Sequence, residues 1–303
     1  MNRFLAYAQL VRLPNAFTAM ADICLGALAT GALPGHGLSF LCLLLASTSL
    51  YCAGMVWNDY FDFEQDLRER AFRPLPSGRV TKRTAAWLGL SLFLVGVAFA
   101  ALADAAAAGD RWRALMLAGL LVVAILLYDG WLKRTAFGPI AMGSCRFLNI
   151  LLGLTAIGQP IPAWGWLLAL AIGTYIAGVT WFARTEAHTS NQNVLMSAAG
   201  IMLLGIMLAL AVPALAKYAE ADVTPSRGFP YLIVAFAGYL ALAVLPAIAK
   251  PVPQRVQPAV KRAVLGLVLL DAILATGLVG WAGLALVVLL APALWLGKWV
   301  YST

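Results

Sequence analysis

The sequence predicts an all-α fold, a polytopic transmembrane bundle of nine to ten spans that takes in residues 1–303 as one integral-membrane unit. Three observations carry that expectation. Hydrophobic residues make up 62% of the chain and charged ones 11%, with a mean hydropathy of +0.87, whereas a soluble domain is about half apolar. Apolar runs near the ~20 residues needed to cross a bilayer recur along the chain with short polar loops between them. Lys and Arg gather in alternate loops, as the positive-inside rule requires.

The same numbers exclude other classes. The net charge of +8 forms no continuous basic stripe of the kind that binds nucleic acid. Cys24, Cys42, Cys52 and Cys145 all lie inside apolar runs, so neither a disulfide framework nor a zinc spacing is available.

Residues 1–13 carry Arg3 and Arg12 around a few apolar residues and suit a short interfacial segment. A cleaved leader is the alternative there. Asp22 would interrupt its apolar core, so the reading is an uncleaved anchor. Spans are expected near 14–33, 38–58, 85–103, 113–128, 137–156, 164–183, 194–214, 229–249, 262–280 and 283–300. Between residues 266 and 296 the apolar sequence hardly breaks. The last two spans therefore read either as a pair or as one span plus a re-entrant or interfacial helix.

With the N-terminus in the cytoplasm, the loop 57–83, Lys133/Arg134, Arg184, the proline-bearing linker 250–262 and Lys298 all fall inside. Sixteen of the 21 Lys and Arg lie on that side; Arg111, Arg113, Lys217 and Arg227 lie on the other, and Arg146 is within the fifth span. Every candidate chemical loop then shares the cytoplasmic face. An internal repeat fits this layout. Tyr51-x-Ala53-Gly54-x-x-Trp57 returns as Tyr175-x-Ala177-Gly178-x-x-Trp181, and the stretch 22–31 returns as 149–158. The copies lie four spans apart and so form a parallel repeat.

Residues 57–79 read W-N-D-Y-F-D-F-E-Q-D-L-R-E-R-A-F-R-P-L-P-S-G-R, five acids interleaved with arginines at the end of a long apolar run. On a helix continuing out of that run, Asp59, Asp62 and Asp66 share one face. Asn58, one turn before Asp62, adds an amide oxygen, while Glu64 points away. A hard oxygen set of this kind suits Mg²⁺, which keeps waters and takes its other ligands from a substrate's phosphates. An ordinary charged cap at the membrane edge is the plainer reading. It is disfavoured because clustered Asp contributes little to topology, which Lys and Arg set.

The string N-D-x-x-D-x-x-x-D at 58–66, followed by Arg70 and R-P-L-P-S-G-R at 73–79, resembles the first signature of the UbiA family of intramembrane prenyltransferases. The resemblance extends more loosely from about Asn15 to the last spans. It implies that Asp59, Asp62, Asp66 and Asn58 bind Mg²⁺ and the diphosphate of a polyprenyl donor. The segment 128–134 resembles the one after the family's fourth span, whose lysine contacts the diphosphate, which gives that role to Lys133. Arg70 and Arg73 would complete the cradle.

The second acidic signature of the family is depleted here. The repeat register aligns Ala183, Glu186 and Ser190 with Asp59, Asp62 and Asp66, so two of three carboxylates are missing from F-A-R-T-E-A-H-T-S-N-Q-N at 182–193. Three readings stay open. Glu186 holds a second metal more weakly; or Arg184, with His188 if protonated, clamps the phosphates directly; or the chain has kept lipid binding and lost catalysis.

Charges inside the bilayer are costly and are functional candidates by default. Asn15 and Asp22 share one face of the first span and are expected to line a central cavity. Arg146 and Asn149 resemble polar residues of the family's fifth span and are candidates to meet donor or acceptor. Alternatively, Asp22 or Asp271 forms a buried bridge with Arg146. The resulting expectation is a Mg²⁺-dependent transferase that moves a polyprenyl group from its diphosphate to a small aromatic or lipid-soluble acceptor. Its partners are that donor, a hydrophobic acceptor and the bilayer, with no nucleic acid. The alternatives are phosphoribosyl transfer to a lipid phosphate and a non-catalytic lipid carrier or transporter.

Overall fold

The computed structural model describes residues 3–107, 112–186, 188–219 and 223–300; Arg111 lies outside them. Every regular element among the described residues is helical. The short α1 (Arg3–Leu10) leads into α2 (Leu13–Ala29), α3 (Gly37–Phe61) and the surface helix α4 (Phe63–Glu69). After a loop come α5 (Lys82–Ala106), α6 (Arg113–Gly130), a 3-10 turn (Leu132–Arg134) and α7 (Gly138–Leu154). The second half holds α8 (Ala163–Ala183), α9 (Gln192–Tyr218), α10 (Phe229–Ala249), α11 (Pro253–Val279), a 3-10 segment (Gly280–Leu289) and α12 (Leu290–Gly297).

Among the described residues seven segments are long and apolar enough to cross a membrane: α3, α5, α6, α8, α9, α10 and the run Pro253–Gly297. The apolar α2 and α7 have 17 residues each, about 25 Å of helix against a hydrocarbon core of about 30 Å. Both are buried along most of their length, which makes them the interior of the bundle. Glycines set how closely they approach their neighbours. A Cβ on Gly26 would lie 2.5 Å from the Gly153 carbonyl carbon, and one on Gly143 would lie 2.5 Å from the Gly173 oxygen. In lipid, where apolar burial does not drive helices together, such backbone contact is what joins α2 to α7 and α7 to α8.

The structure departs from the sequence reading in three places. Residues 250–262 were expected as a linker, yet α11 begins at Pro253. Proline is tolerated in the first turn because its missing N–H has no intrahelical partner there. No single helix covers 283–300. Gly280, at φ +71°, reverses the chain, and Gly283 lies so close to Ala275 and Thr276 that a Cβ would fall 2.4 Å from their backbone. The last apolar run folds back against α11.

The third departure concerns the acidic segment, whose helix does not continue. It breaks at Asp62 (φ −89°, ψ 4°), and α4 turns away with Asp66 as its one buried residue. The loop after α4 is docked as a plug. Leu75 and Val80 bury with Ala6 and Leu10 of α1, Val56 of α3 and Ala85 of α5, and Gly78 makes the turn at φ +73°.

Candidate active site

The break at Asp62 splits the three carboxylates between two cations. Asp59 and Asp66, on either side of it, both turn to the buried Arg73, whose Nη1 lies 2.7 Å from Asp66 Oδ2 and 3.4 Å from Asp59 Oδ1. Asp62 instead accepts from Lys133 Nζ at 2.8 Å, with the more exposed Arg134 at 3.5 Å. Arg70 stands 3.9 Å from Asp66, half in solvent. The three side chains thus join one charge network through different partners.

Two residues that the sequence reading treated as ordinary complete the network. Arg12, in the left-handed conformation between α1 and α2 (φ 48°, ψ 50°), donates to Asn58 Oδ1 at 3.2 Å and to Asp59 Oδ1 at 3.1 Å. Asp129, at the end of α6, accepts from Asn58 Nδ2 at 2.8 Å. In the sequence Arg12 reads as part of an interfacial segment, and Asp129 only as part of the stretch 128–134 that supplies Lys133. The available signal for Asp129 was its place one helical turn before Lys133.

Behind this network lies a cavity of about 250 Å³. Arg12, Asn15 and Asp129 line its mouth, and Arg146 and Asn149 line its depth, with Leu121, Ile125, Ile176 and Val179 among its apolar walls. A polar floor belongs with it. Arg146 donates to Asp22 Oδ2 at 3.0 Å and to Thr18 Oγ1 at 2.6 Å. Asn149 donates to the same Asp22 oxygen at 2.7 Å and accepts from Ser47 at 2.7 Å. Asp22 is fully buried behind those two side chains, so the structure places Asn15 on the cavity wall and Asp22 beneath it. The buried bridge between Asp22 and Arg146 is present, and Asp271 lies close to both.

The loop after α8 is built differently. Arg184 and His188 are exposed, and Thr185 and Ser190 bond to each other at 2.7 Å. The loop is tied to the start of α11 by Ser190 N donating to Pro251 O and Gln257 Nε2 donating to Glu186 O. Burial raises the Glu186 carboxyl above its usual range, with Arg70 acting against that shift.

Among the described residues no three carboxylate, His or Cys side chains converge on one point where a metal would sit. The donor chemistry nevertheless fits Mg²⁺. That ion takes one or two carboxylates and completes its shell with water and substrate phosphate. The carboxylates at the mouth already neutralise cationic side chains that are themselves suited to phosphate.

A profile of the UbiA prenyltransferase family matches residues 19–303. The chain belongs to the UbiA prenyltransferase family. A digeranylgeranylglyceryl phosphate synthase of Methanopyrus kandleri is 33% identical over 76% of this chain and 83% of its own length. The enzyme of the same name from Thermococcus gammatolerans is 34% identical, over 51% of this chain and 54% of its own length. This UbiA member therefore spans only about half of that second relative. In structure, a UbiA homolog from Aeropyrum pernix superimposes with a TM-score of 0.60 at 18% identity, over 86% of this chain and 96% of that one. A UbiA homolog from Archaeoglobus fulgidus bound to GPP and Mg²⁺ gives 0.55 at 12% identity, over 89% and 99%. Both likenesses are of fold. The chain is accordingly a multi-pass integral membrane protein with the UbiA fold.

Proposed function

We propose that this UbiA member transfers a polyprenyl group, within the bilayer, from its diphosphate to a lipid-soluble acceptor and releases pyrophosphate. The observation that carries the reading is the carboxylate and cation network at the mouth of a cavity with apolar walls. Asp59, Asp62 and Asp66, with Asn58, would hold Mg²⁺. Bound there, the ion supplies charge neutralisation and orientation of the diphosphate.

The protein's own groups account for the remainder. Lys133, Arg12 and Arg73, which now face carboxylates, exchange those partners for phosphate oxygens and balance the charge that gathers on the leaving pyrophosphate. Arg70, at the edge, adds to the same cradle. The C–O bond breaks with its electron pair going to the pyrophosphate. The apolar walls at Leu121, Ile125 and Ile176 exclude water while the acceptor bonds to the allylic carbon and loses a proton. Arg146 and Asn149, held by Asp22, present the polar groups that meet the acceptor.

The relatives' name supports an acceptor of the glyceryl phosphate lipid class ahead of an aromatic one. The proposal includes a cytoplasmic N-terminus and mouth, from the Lys and Arg distribution, and α2 and α7 as crossings. It includes a parallel repeat as well, supported by residues 127 positions apart: Asp22 bonds Asn149, Gly26 abuts Gly153, and Gly31 and Gly158 share φ near +66°.

The test is incubation of the reconstituted protein and Mg²⁺ with labelled prenyl diphosphates, offering glyceryl phosphate lipids and aromatic acceptors in parallel. Label should move to an acceptor with stoichiometric pyrophosphate. Label that stays on the donor with every acceptor, or that crosses the bilayer without pyrophosphate release, contradicts the reading.

A further inference from the structure

We propose that Asp129 of α6 supplies a metal-holding carboxylate in place of those missing from the loop after α8. The inference rests on the reading of the mouth as a metal and diphosphate site. Asp129 is 2% exposed. Its Oδ1 accepts from Asn58 Nδ2 at 2.8 Å, and its Oδ2 makes no hydrogen bond among the described residues while the side chain faces the cavity. The side chain as a whole is buried, and its second oxygen is left to the cavity, where an arriving cation can use it.

The nearest cation does not use it. Lys133 Nζ is committed to Asp62 Oδ2 at 2.8 Å and remains 3.9 Å from Asp129 Oδ1, beyond hydrogen-bond range. One ammonium thus stands between the carboxylate of Asp62, at the break after α3, and that of Asp129, at the end of α6. A position that attracts one cation from both sides attracts a divalent ion more strongly. With Lys133 moved to phosphate, the ion would find Asp62 and the open oxygen of Asp129. Two carboxylates with phosphate and water are the usual complement for Mg²⁺. Glu186, the remaining acid of the depleted loop, has Arg70 as its charged neighbour.

A purely structural Asp129 needs only to accept from Asn58, and asparagine retains that ability with the same shape. The Asp129→Asn variant therefore separates the two roles. Full-length protein in lipid nanodiscs is saturated with a non-reactive thio analogue of a prenyl diphosphate and titrated with Mn²⁺, the bound ions being counted by electron paramagnetic resonance. Wild type and the control Glu64→Gln, whose side chain is exposed on α4, should bind two ions. Asp129→Asn should bind one and still take up the analogue.

Two ions in Asp129→Asn overturn the assignment and leave the diphosphate reading intact. A single ion in wild type overturns it as well. Wild type that binds neither Mn²⁺ nor analogue overturns both. Should the variant fail to fold, wild type loaded with Fe²⁺ and ascorbate gives an independent answer. Oxidative backbone cleavage should map near residue 129 as well as near residue 62. Cleavage at the end of α3 alone contradicts the proposal.

Discussion

The loops that follow α3 and α8 each come after a Tyr-x-Ala-Gly-x-x-Trp string and are built on opposite terms. The first buries Asp59, Asp66 and Arg73 and links them to Arg12, Lys133 and Asp62 in one network. The second keeps Arg184 and His188 in solvent and anchors itself by a bond to the Pro251 carbonyl and one from the Gln257 side chain. Removing a charge from water costs several kcal/mol, and at the first loop that cost is offset by the cations beside the carboxylates. The comparison teaches that the depletion of the second loop is a matter of architecture as well as of composition. That loop has the bonding of a structural connection, and the buried ion pairs have gathered at one mouth.

The strongest way to break this contrast is to move the effect from one loop to the other. Asp59→Asn and Asp62→Asn should each lower prenyl transfer by more than about 100-fold, the upper end seen for groups that only support a metal ligand. Glu186→Gln should leave more than a tenth of the activity. Initial rates in nanodiscs at saturating donor measure both. Equal losses in the two loops would show that the second still takes part in the chemistry.

Stability sharpens the contrast at the next level. Arg73→Met removes the close cation of the buried Asp66 and one of the two at Asp59, and should destabilise the fold by about 3–5 kcal/mol. Arg184→Met, on an exposed side chain, should stay within about 0.5 kcal/mol. Thermal unfolding in the same lipid tests the pair. A similar loss in both would mean that the first network is no more buried in energetic terms than the second loop.

The smallest expected effect is on pH dependence. Burial raises the folded-state Glu186 carboxyl above its unfolded range, so between those two values the native state holds more protons than the unfolded one. Stability then falls as pH rises through that window. Glu186→Gln should flatten that slope, read as melting temperature against pH from the ordinary glutamate range upward. An unchanged slope would place its origin elsewhere.

Much of this was legible in the sequence, for identifiable reasons. A crossing segment needs a long apolar run, and no other element produces one, so α3, α5, α6, α8, α9 and α10 appear within a few residues of where hydropathy puts them. The bridge between Asp22 and Arg146 could be anticipated because each charge alone is intolerable in lipid. The break at Asp62 could not, because it is set by where Arg73 and Lys133 stand in three dimensions, and neither position follows from the local pattern. Arg12 and Asp129 were hidden by a similar ambiguity. A lone charge at the end of a span looks the same whether it anchors topology or faces a site. The prolines of residues 251–258 misled in the other direction, since the same residue that marks a linker also opens a helix.

The central claim is that the first mouth grips a prenyl diphosphate through a divalent ion. It is tested most directly by equilibrium binding of a labelled, non-reactive prenyl diphosphate to the reconstituted protein, with Mg²⁺ and then with excess chelator. Saturable binding that requires Mg²⁺ and is lost in the Asp59→Asn/Asp62→Asn double variant is the predicted result. Binding of equal strength in chelator, or in the double variant, would contradict it.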